Sequence, residues 1–221
     1  MGTFLGIDAG TSSVKCLLVD ESGRVLSVGQ SSYGINRPSP GWAEQDPETW
    51  WTAVVQSVRE ALAGSGGASV AGIGFTGQMH GLVMLGEGGT PTAPSVIWSD
   101  ARTAAEVEEI RRQFGREGLV RSGGPVSTGF LLPSLLWMKR ERRDAYERTA
   151  HVMTPKDYLR YRCTGRLGTD PTDAAATGAY RIDQAAWDAE LLQRLDLDES
   201  RFPSILPSAA VAGYLQSQAA E

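Results

Sequence analysis

Residues 4–20, FLGIDAGTSSVKCLLVD, constrain the fold more than any other stretch of this chain. An apolar run at 4–7 enters a short polar loop containing Gly10, Thr11, Ser12 and Ser13. A phosphate loop of a nucleotide enzyme usually opens a helix, whose N-terminus favours an anion. Here a β-prone run follows at 14–19, so the loop reads as the tip of a hairpin. Residues 20–23, DESG, are turn chemistry, with Gly23 able to take a positive φ. Residues 24–31 then read as a third strand, and three strands joined by short polar turns predict an antiparallel meander. The βαβ start of a dinucleotide-binding fold is excluded, and the loop carries neither GxGxxG nor GxxxxGK[ST].

The rest of the chain alternates strand and helix signals. Asp46 is a good N-cap and Pro47 suits the first helical position. Trp51, Val54, Val55, Val58 and Leu62 then recur at helical spacing, predicting one buried face, and the glycines of GSGG at 64–67 end the helix. Residues 70–76 predict a buried strand with GQMHG at its carboxyl end, and 82–85 and 95–98 predict further strands. Val107, Ile110 and Phe114 mark a second amphipathic helix, with Glu108 and Arg112 spaced as an exposed i,i+4 pair. Helices are also predicted over 131–143, 156–161 and 185–195. The pattern is α/β, with an antiparallel start and helices later.

Composition narrows the function classes. The 221 residues are enough for one large domain or two small ones, and the net charge of −5 argues against a nucleic-acid partner. Two cysteines make no disulfide framework, and two histidines disfavour a zinc site. No signal peptide is visible, and no apolar run approaches the ~20 residues of a membrane span. The expectation is a soluble cytoplasmic protein with no membrane partner.

The hairpin has the chemistry of a phosphate site. Gly10 lets backbone approach a ligand, and Thr11, Ser12 and Ser13 offer hydroxyls and consecutive N–H groups that can form an anion nest without a helix. Lys15 adds a point charge, and Asp8 can hold Mg²⁺ through water. An ordinary Gly-Thr-Ser turn with no ligand is the alternative.

GIDAGTSSVK at 6–15 resembles the first phosphate motif of the actin/hexokinase-like ATPases, and most closely that of the FGGY carbohydrate kinases. WAEQDPETWW at 42–51, GQMHG at 77–81, WSDAR at 98–102, PKDYLRYRCTG at 155–165 and TDAAATG at 172–178 look like motifs that occur in the same order in that family. GQMHG is similar to the xylulokinase branch in particular, where glycerol kinases carry an Arg-Glu pair. The resemblance covers essentially the whole chain. It implies an actin/hexokinase-like (ribonuclease H-like) ATPase domain over residues 1–221, with a mixed sheet that starts with an antiparallel hairpin and is flanked by helices.

The resemblance also implies roles. Asp8 would orient Mg²⁺, Gly10, Thr11, Ser12, Ser13 and Lys15 would face the phosphates of ATP, and Gln78, Met79 and His80 would contact the sugar. Trp98, Asp100 and Arg102 would shape the sugar cleft, although a helix cap explains Asp100 equally well. Trp42, Glu44 and Gln45 would reach the sugar or brace a long loop. Asp170 and Asp173 lie in a polar loop without a catalytic assignment, and Ser134 stands where related kinases often carry Lys. The family's catalytic base is an Asp in a GGGDNA-like motif, and residues 206–221 contain no Asp and no Gly-rich turn. The implied protein is therefore longer. A C-terminal domain would bind adenosine, the base would lie beyond Glu221, and the 221 residues alone would be inactive. A homodimer of the longer protein is compatible with this. The implied reaction is transfer of phosphate from ATP to a pentulose, D-xylulose above others. A sugar-sensing or scaffold domain derived from a kinase remains open, as does an actin-like assembly protein, which would have no need of GQMHG.

Overall fold

A computed structural model describes residues 2–66, 69–121 and 124–220. In chain order the elements are strands β1 Thr3–Ala9, β2 Ser13–Asp20, β3 Val25–Ser32 and β4 Glu44–Gln45, helix α1 Pro47–Ala63, strands β5 Val70–Gly77, β6 Val83–Leu85 and β7 Ser95–Val96, helices α2 Ala104–Arg121, α3 Leu131–Glu141 and α4 Arg143–Glu147, strand β8 His151–Met153, helices α5 Pro155–Thr164 and α6 Pro171–Ala176, strands β9 Tyr180–Arg181 and β10 Ala186–Trp187, and helices α7 Ala189–Arg194 and α8 Ser217–Ala220. They form two compact units, one from Met1–Ile35 with Asp46–Gln78, the other from Asn36–Gln45 with Met79–Glu221.

The first unit is a four-stranded sheet in the order β3-β2-β1-β5. β1 and β2 pair antiparallel as the hairpin reading predicts, and β2 pairs antiparallel with β3. β5 lies parallel to β1 on its other side. Thr3, Leu5, Ile7 and Ala9 of β1 are buried while Phe4, Gly6 and Asp8 are exposed, the period of two of a sheet with one covered face. Gly23 closes the β2–β3 turn at φ 82°, donating to the Asp20 carbonyl.

α1 starts as its sequence predicts. Asp46 is the N-cap and accepts from the Glu48 N–H at 3.0 Å, and Pro47 opens the helix. Its buried face is not the one the large apolar residues suggest. Trp50, Ala53, Val54, Ser57 and Ala61 are buried, whereas Trp51, Val55, Val58 and Leu62 are only half-buried. The helix meets β2 and β3 through small residues. Ser57 Oγ donates to the Ala53 and Val14 carbonyls, and Ser27 Oγ donates to the Ala61 carbonyl at 2.5 Å. A Cβ on Gly29 would sit 1.9 Å from the Ser57 carbonyl oxygen, so this approach requires glycine. The helix ends at Gly64, while Gly67 of the expected stop lies outside the described residues.

The second unit packs α2, α3 and α7 with β6 and β8 around Leu82, Ile110, Leu132, Leu136, Val152 and Leu191. Three expectations change here. The helix predicted over 131–143 stops at Glu141, because Arg142 leaves helical geometry (φ −131°), and α4 restarts after it. The helix predicted over 185–195 begins only at Ala189, where Asp188 caps it by accepting from Leu191 N–H. The preceding residues form β10, with Ala185 at φ 51° and the Trp187 indole donating to the Pro203 carbonyl. Glu108 pairs with Arg111 at i+3, 2.9 Å away, rather than with Arg112 at i+4. Among the described residues no helix is long and apolar enough to cross a membrane.

Gly29→Ala should lower stability by about 1–3 kcal/mol, the usual penalty for overpacking a tight contact. Urea unfolding measures it, and an unchanged midpoint would mean that α1 and β3 can separate freely.

Candidate functional site

The hairpin tip is held by main-chain bonds. Pairing ends at Ala9 opposite Val14, and the Gly10 N–H donates to the Ser13 carbonyl at 3.0 Å. Tyr33 then clamps the tip twice. Its N–H donates to the Ser12 carbonyl at 2.9 Å and its hydroxyl to the Gly10 carbonyl at 2.5 Å. Burial raises the Tyr33 phenol above its usual value, and the nearby Asp8 charge adds to the effect, so the group stays a donor. Nothing in the local motif points to Tyr33, which lies 20 or more residues downstream of the loop it fixes. Ser12 is exposed, and Thr11 and Ser13 are half-buried. A Cβ on Gly10 would meet only the Ser13 carbonyl oxygen, at an ordinary 3.5 Å. The fold therefore tolerates a side chain there, and the glycine keeps open the space above the loop.

Asp8 and Lys15 are register partners, with Thr76 opposite Asp8 on β5. All three are exposed on the outer sheet face. Among the described residues neither Asp8 nor Lys15 takes part in an ion pair. The carboxylate can thus accept the water shell of a magnesium ion, a hard cation that keeps several waters.

In the first unit, Gln78 extends β5 by one bond, its N–H donating to the Ala9 carbonyl at 2.8 Å. In the second unit, Met79 is exposed and His80 is the centre of a γ-turn, with Gly81 N–H donating to the Met79 carbonyl at 2.9 Å. His80 has φ 71°, the rare and strained form of that turn. Its Nδ1 lies 2.7 Å from the Ala176 carbonyl oxygen. A carbonyl only accepts, so Nδ1 carries the proton. The imidazole also stacks on Phe130, 3.9 Å between centroids and 11° from parallel. Sequence reasoning missed Phe130 and Ala176, 50 and 96 residues away.

Residues of WAEQ and WSDAR form one assembly around the Arg102 side chain within the second unit. Arg102 reaches both Asp100 oxygens through Nε and Nη2, and Glu44 through Nη1 at 2.8 Å. Its guanidinium lies 3.7 Å from the Trp42 ring centroid and 4.9 Å from that of Trp137. Asp100 also accepts the Ala43 N–H at 2.6 Å. Asp100 is not the cap of α2, which starts at Ala104. Trp42 and Glu44 brace the 36–45 segment, Gln45 pairs with Ser95, and Trp98 is half exposed.

A second buried cluster joins PKDY to TDAAATG. The Lys156 ammonium contacts Asp170 at 2.5 Å, Asp157 at 3.0 Å and Asp173 at 3.2 Å. The three carboxylates gather within 4.8 Å of one another, and Lys156 already supplies the cation among them. Burial alone would lower the Lys156 pKa, but the charges of Asp157 and Asp173 and the bond to Asp170 outweigh it and raise it. Asp170 and Asp173 shift oppositely. Burial opposes ionisation of Asp170, yet Lys156 and the N–H groups of Thr172 and Asp173 hold its pKa below the usual 3.8. Burial, with the neighbouring Asp157 and Asp170 charges, keeps Asp173 above it despite Lys156. Asp170, lowered on folding, adds stability that is present above pH 3.8 and is lost as the pH falls through its folded pKa. Asp173, raised on folding, binds its proton more tightly in the native state and costs stability as the pH rises above 3.8. Relative to wild type, Asp170→Asn should therefore carry a penalty near neutrality that shrinks below pH 3.8. Asp173→Asn should gain on wild type as the pH rises from 3.8. Urea midpoints across pH 3 to 7 check both signs, and parallel curves would contradict the assignment.

Residues 3–221 match the FGGY family of carbohydrate kinases, N-terminal domain. The chain is 40% identical over 216 residues to a xylulose kinase of Staphylococcus xylosus, covering 97% of this chain and 45% of that protein. It is 32% identical over 218 residues to the Escherichia coli K12 xylulose kinase, covering 99% and 45%. A crystal structure of xylulose kinase from Rhodospirillum rubrum superposes with a TM-score of 0.94 at 28% identity, covering 99% of this chain and 45% of that one. The chain thus spans about half the length of the curated relatives it matches. With its hairpin-led mixed sheet and flanking helices, it has the actin/hexokinase-like fold and belongs to the FGGY family of carbohydrate kinases, of which it represents the N-terminal domain.

Proposed function

We propose that these 221 residues are the sugar-binding half of an ATP-dependent pentulose kinase that converts D-xylulose to xylulose 5-phosphate. The observation that carries the reading is His80, held in a strained γ-turn at the end of GQMHG with one ring nitrogen committed to Ala176. Backbone strain persists where surroundings over-determine it, and such places concentrate at ligand sites. The relatives named as xylulose kinases set the choice of sugar.

Phosphoryl transfer needs alignment and charge stabilisation more than covalent chemistry. The N–H groups and hydroxyls of Thr11, Ser12 and Ser13 face the β- and γ-phosphates, which approach over Gly10. Lys15 offsets their charge. Asp8 would hold Mg²⁺ through its water shell, and the ion would supply positive charge to offset that on the phosphates. Gln78, Met79 and His80 orient the sugar. The base that takes the hydroxyl proton and the groups that hold adenosine come from the second half of a longer protein, as the length of the relatives suggests. Both cysteines are buried and unpaired, which fits a reducing cytoplasm.

His80→Ala should weaken D-xylulose binding by about 1–3 kcal/mol, the cost of leaving a buried polar partner unmatched. Calorimetry on the folded variant measures this, and an unchanged affinity removes His80 from the sugar site. The isolated 221 residues should release no ADP above background with ATP, Mg²⁺ and D-xylulose. A positioned base contributes about 10²- to 10⁴-fold to a rate, and fixing both reactants can add on the order of 10⁵ M in effective molarity. A protein extended through a second domain should turn over. Sugar-dependent ADP release by the 221 residues alone would place the base within them.

A further inference from the structure

We infer that the ion cluster around Lys156 is a positioning device for His80: through α6 it holds the imidazole in its Nδ1–H tautomer, so that Nε2 is an acceptor and selects a hydroxyl that donates. The inference rests on the reading that His80 meets the sugar.

α6 links the two. It has six residues, far fewer than an isolated helix needs to persist, so its place is set by tertiary contacts: the packing of buried Ala174 and Ala176 and the groups that grip its ends. At the first end Asp170 Oδ1 caps the Thr172 and Asp173 N–H groups, and Oδ2 bonds Lys156 on α5 at 2.5 Å. Asp173 adds a second grip one turn on, 3.2 Å from Lys156 and 2.8 Å from Thr154 Oγ1. Both α5 contacts come from the residues that open that helix, so the cluster ties α6 to α5 at one point. At the other end the carbonyls lack helical partners. Ala174 O is taken by the Thr177 N–H and hydroxyl, and Ala176 O accepts from His80 Nδ1. The Thr177 carbonyl accepts the Leu132 N–H, which ties the start of α3 to the same corner. Phe130, just before α3, stacks on the ring and sets its plane. The carbonyl fixes which nitrogen bears the proton, the stack fixes the plane, and the cluster fixes the carbonyl.

A neutral imidazole with its proton on Nδ1 can only accept at Nε2. An unconstrained imidazole favours the opposite tautomer, whose Nε2–H would donate. Losing the grip on α6 therefore changes the chemistry His80 offers, not merely its location.

The chain has two histidines, His80 and His151, so imidazole ¹⁵N spectra resolve both. At pH 8 the wild-type chain should show His80 with Nδ1 protonated and Nε2 bare, and D-xylulose should shift the Nε2 resonance. Asp170→Ser keeps a hydroxyl to cap α6 and removes one of the three carboxylates around Lys156, the shortest contact. It should yield a mixture of tautomers and a D-xylulose affinity about three- to tenfold lower, the range of one misaligned hydrogen bond, with unchanged circular dichroism. Lys156→Met should move the spectrum in the same direction, and His80→Ala identifies the signals. A His80 that stays wholly Nδ1–H in a folded Asp170→Ser or Lys156→Met protein overturns the inference. A tautomer that responds to these substitutions in a chain whose Nε2 ignores D-xylulose upholds the clamp and retires the sugar assignment instead.

Discussion

β1 is paired on both sides, and the candidate chemistry of the first unit depends on where those two ladders end. Antiparallel pairing to β2 and parallel pairing to β5 both terminate at Ala9, opposite Val14 and Gly77. The Ala9 carbonyl then accepts the Gln78 N–H, so the β1–β2 hairpin tip and the segment leaving β5 start from one residue. These are main-chain bonds, and their spacing does not depend on which side chains the strands carry. The irregular steps lie away from the tip, at Thr3/Phe4 in one ladder and Leu18/Val19 in another. Register is thus regular over the residues that set Asp8 against Lys15 and Thr76. Ala9 and Gly77 are strand carboxyl ends, where ligands of α/β sheets gather.

Charge is used in two different ways. Arg102 and Lys156 are buried and surrounded by carboxylates, two for Arg102 and three for Lys156. Such clusters contribute little net stability, because desolvation offsets most of the attraction, but removing one partner costs about 3–5 kcal/mol. Their value lies in geometry. The Arg102 assembly fixes the 36–45 segment against the start of α2, and the Lys156 cluster fixes α6 against α5. Asp8 and Lys15 are exposed at the end of regular strands. The exposed charges stand in solvent on a rigid support, while the charges that hold the support are matched inside it.

Much of this was legible in the sequence, and the failures share a physical cause. The hairpin was legible because a β-prone run, not a helix, follows the turn-forming loop. Asp46 and Pro47 were legible because a cap is a local device. The buried face of α1 was misread because small residues set it. Ser57 and Ala61 pack closer to β3 than any Val could, and Gly29 makes the room, yet none of them is among the large apolar residues whose spacing marks a helix face. Tyr33, Phe130 and Ala176 act on residues far away in sequence, and Ala176 acts through its carbonyl, which no side-chain pattern encodes. Asp170 and Asp173 read as loop residues until Lys156 is placed between them.

His80 combines backbone strain with long-range bracing. A glycine would occupy its turn without strain, since φ near +70° places a Cβ against neighbouring backbone at about 1–2 kcal/mol. The chain sustains that cost with contacts that a glycine could not use, a hydrogen bond at Nδ1 and a ring stack. Those contacts leave Nε2 outside the protein's own network among the described residues. Stability alone would favour the glycine, or would bury the imidazole with both nitrogens matched. Strain held by its surroundings concentrates at ligand sites, and here it is braced from two directions with one ring nitrogen left outside the bracing.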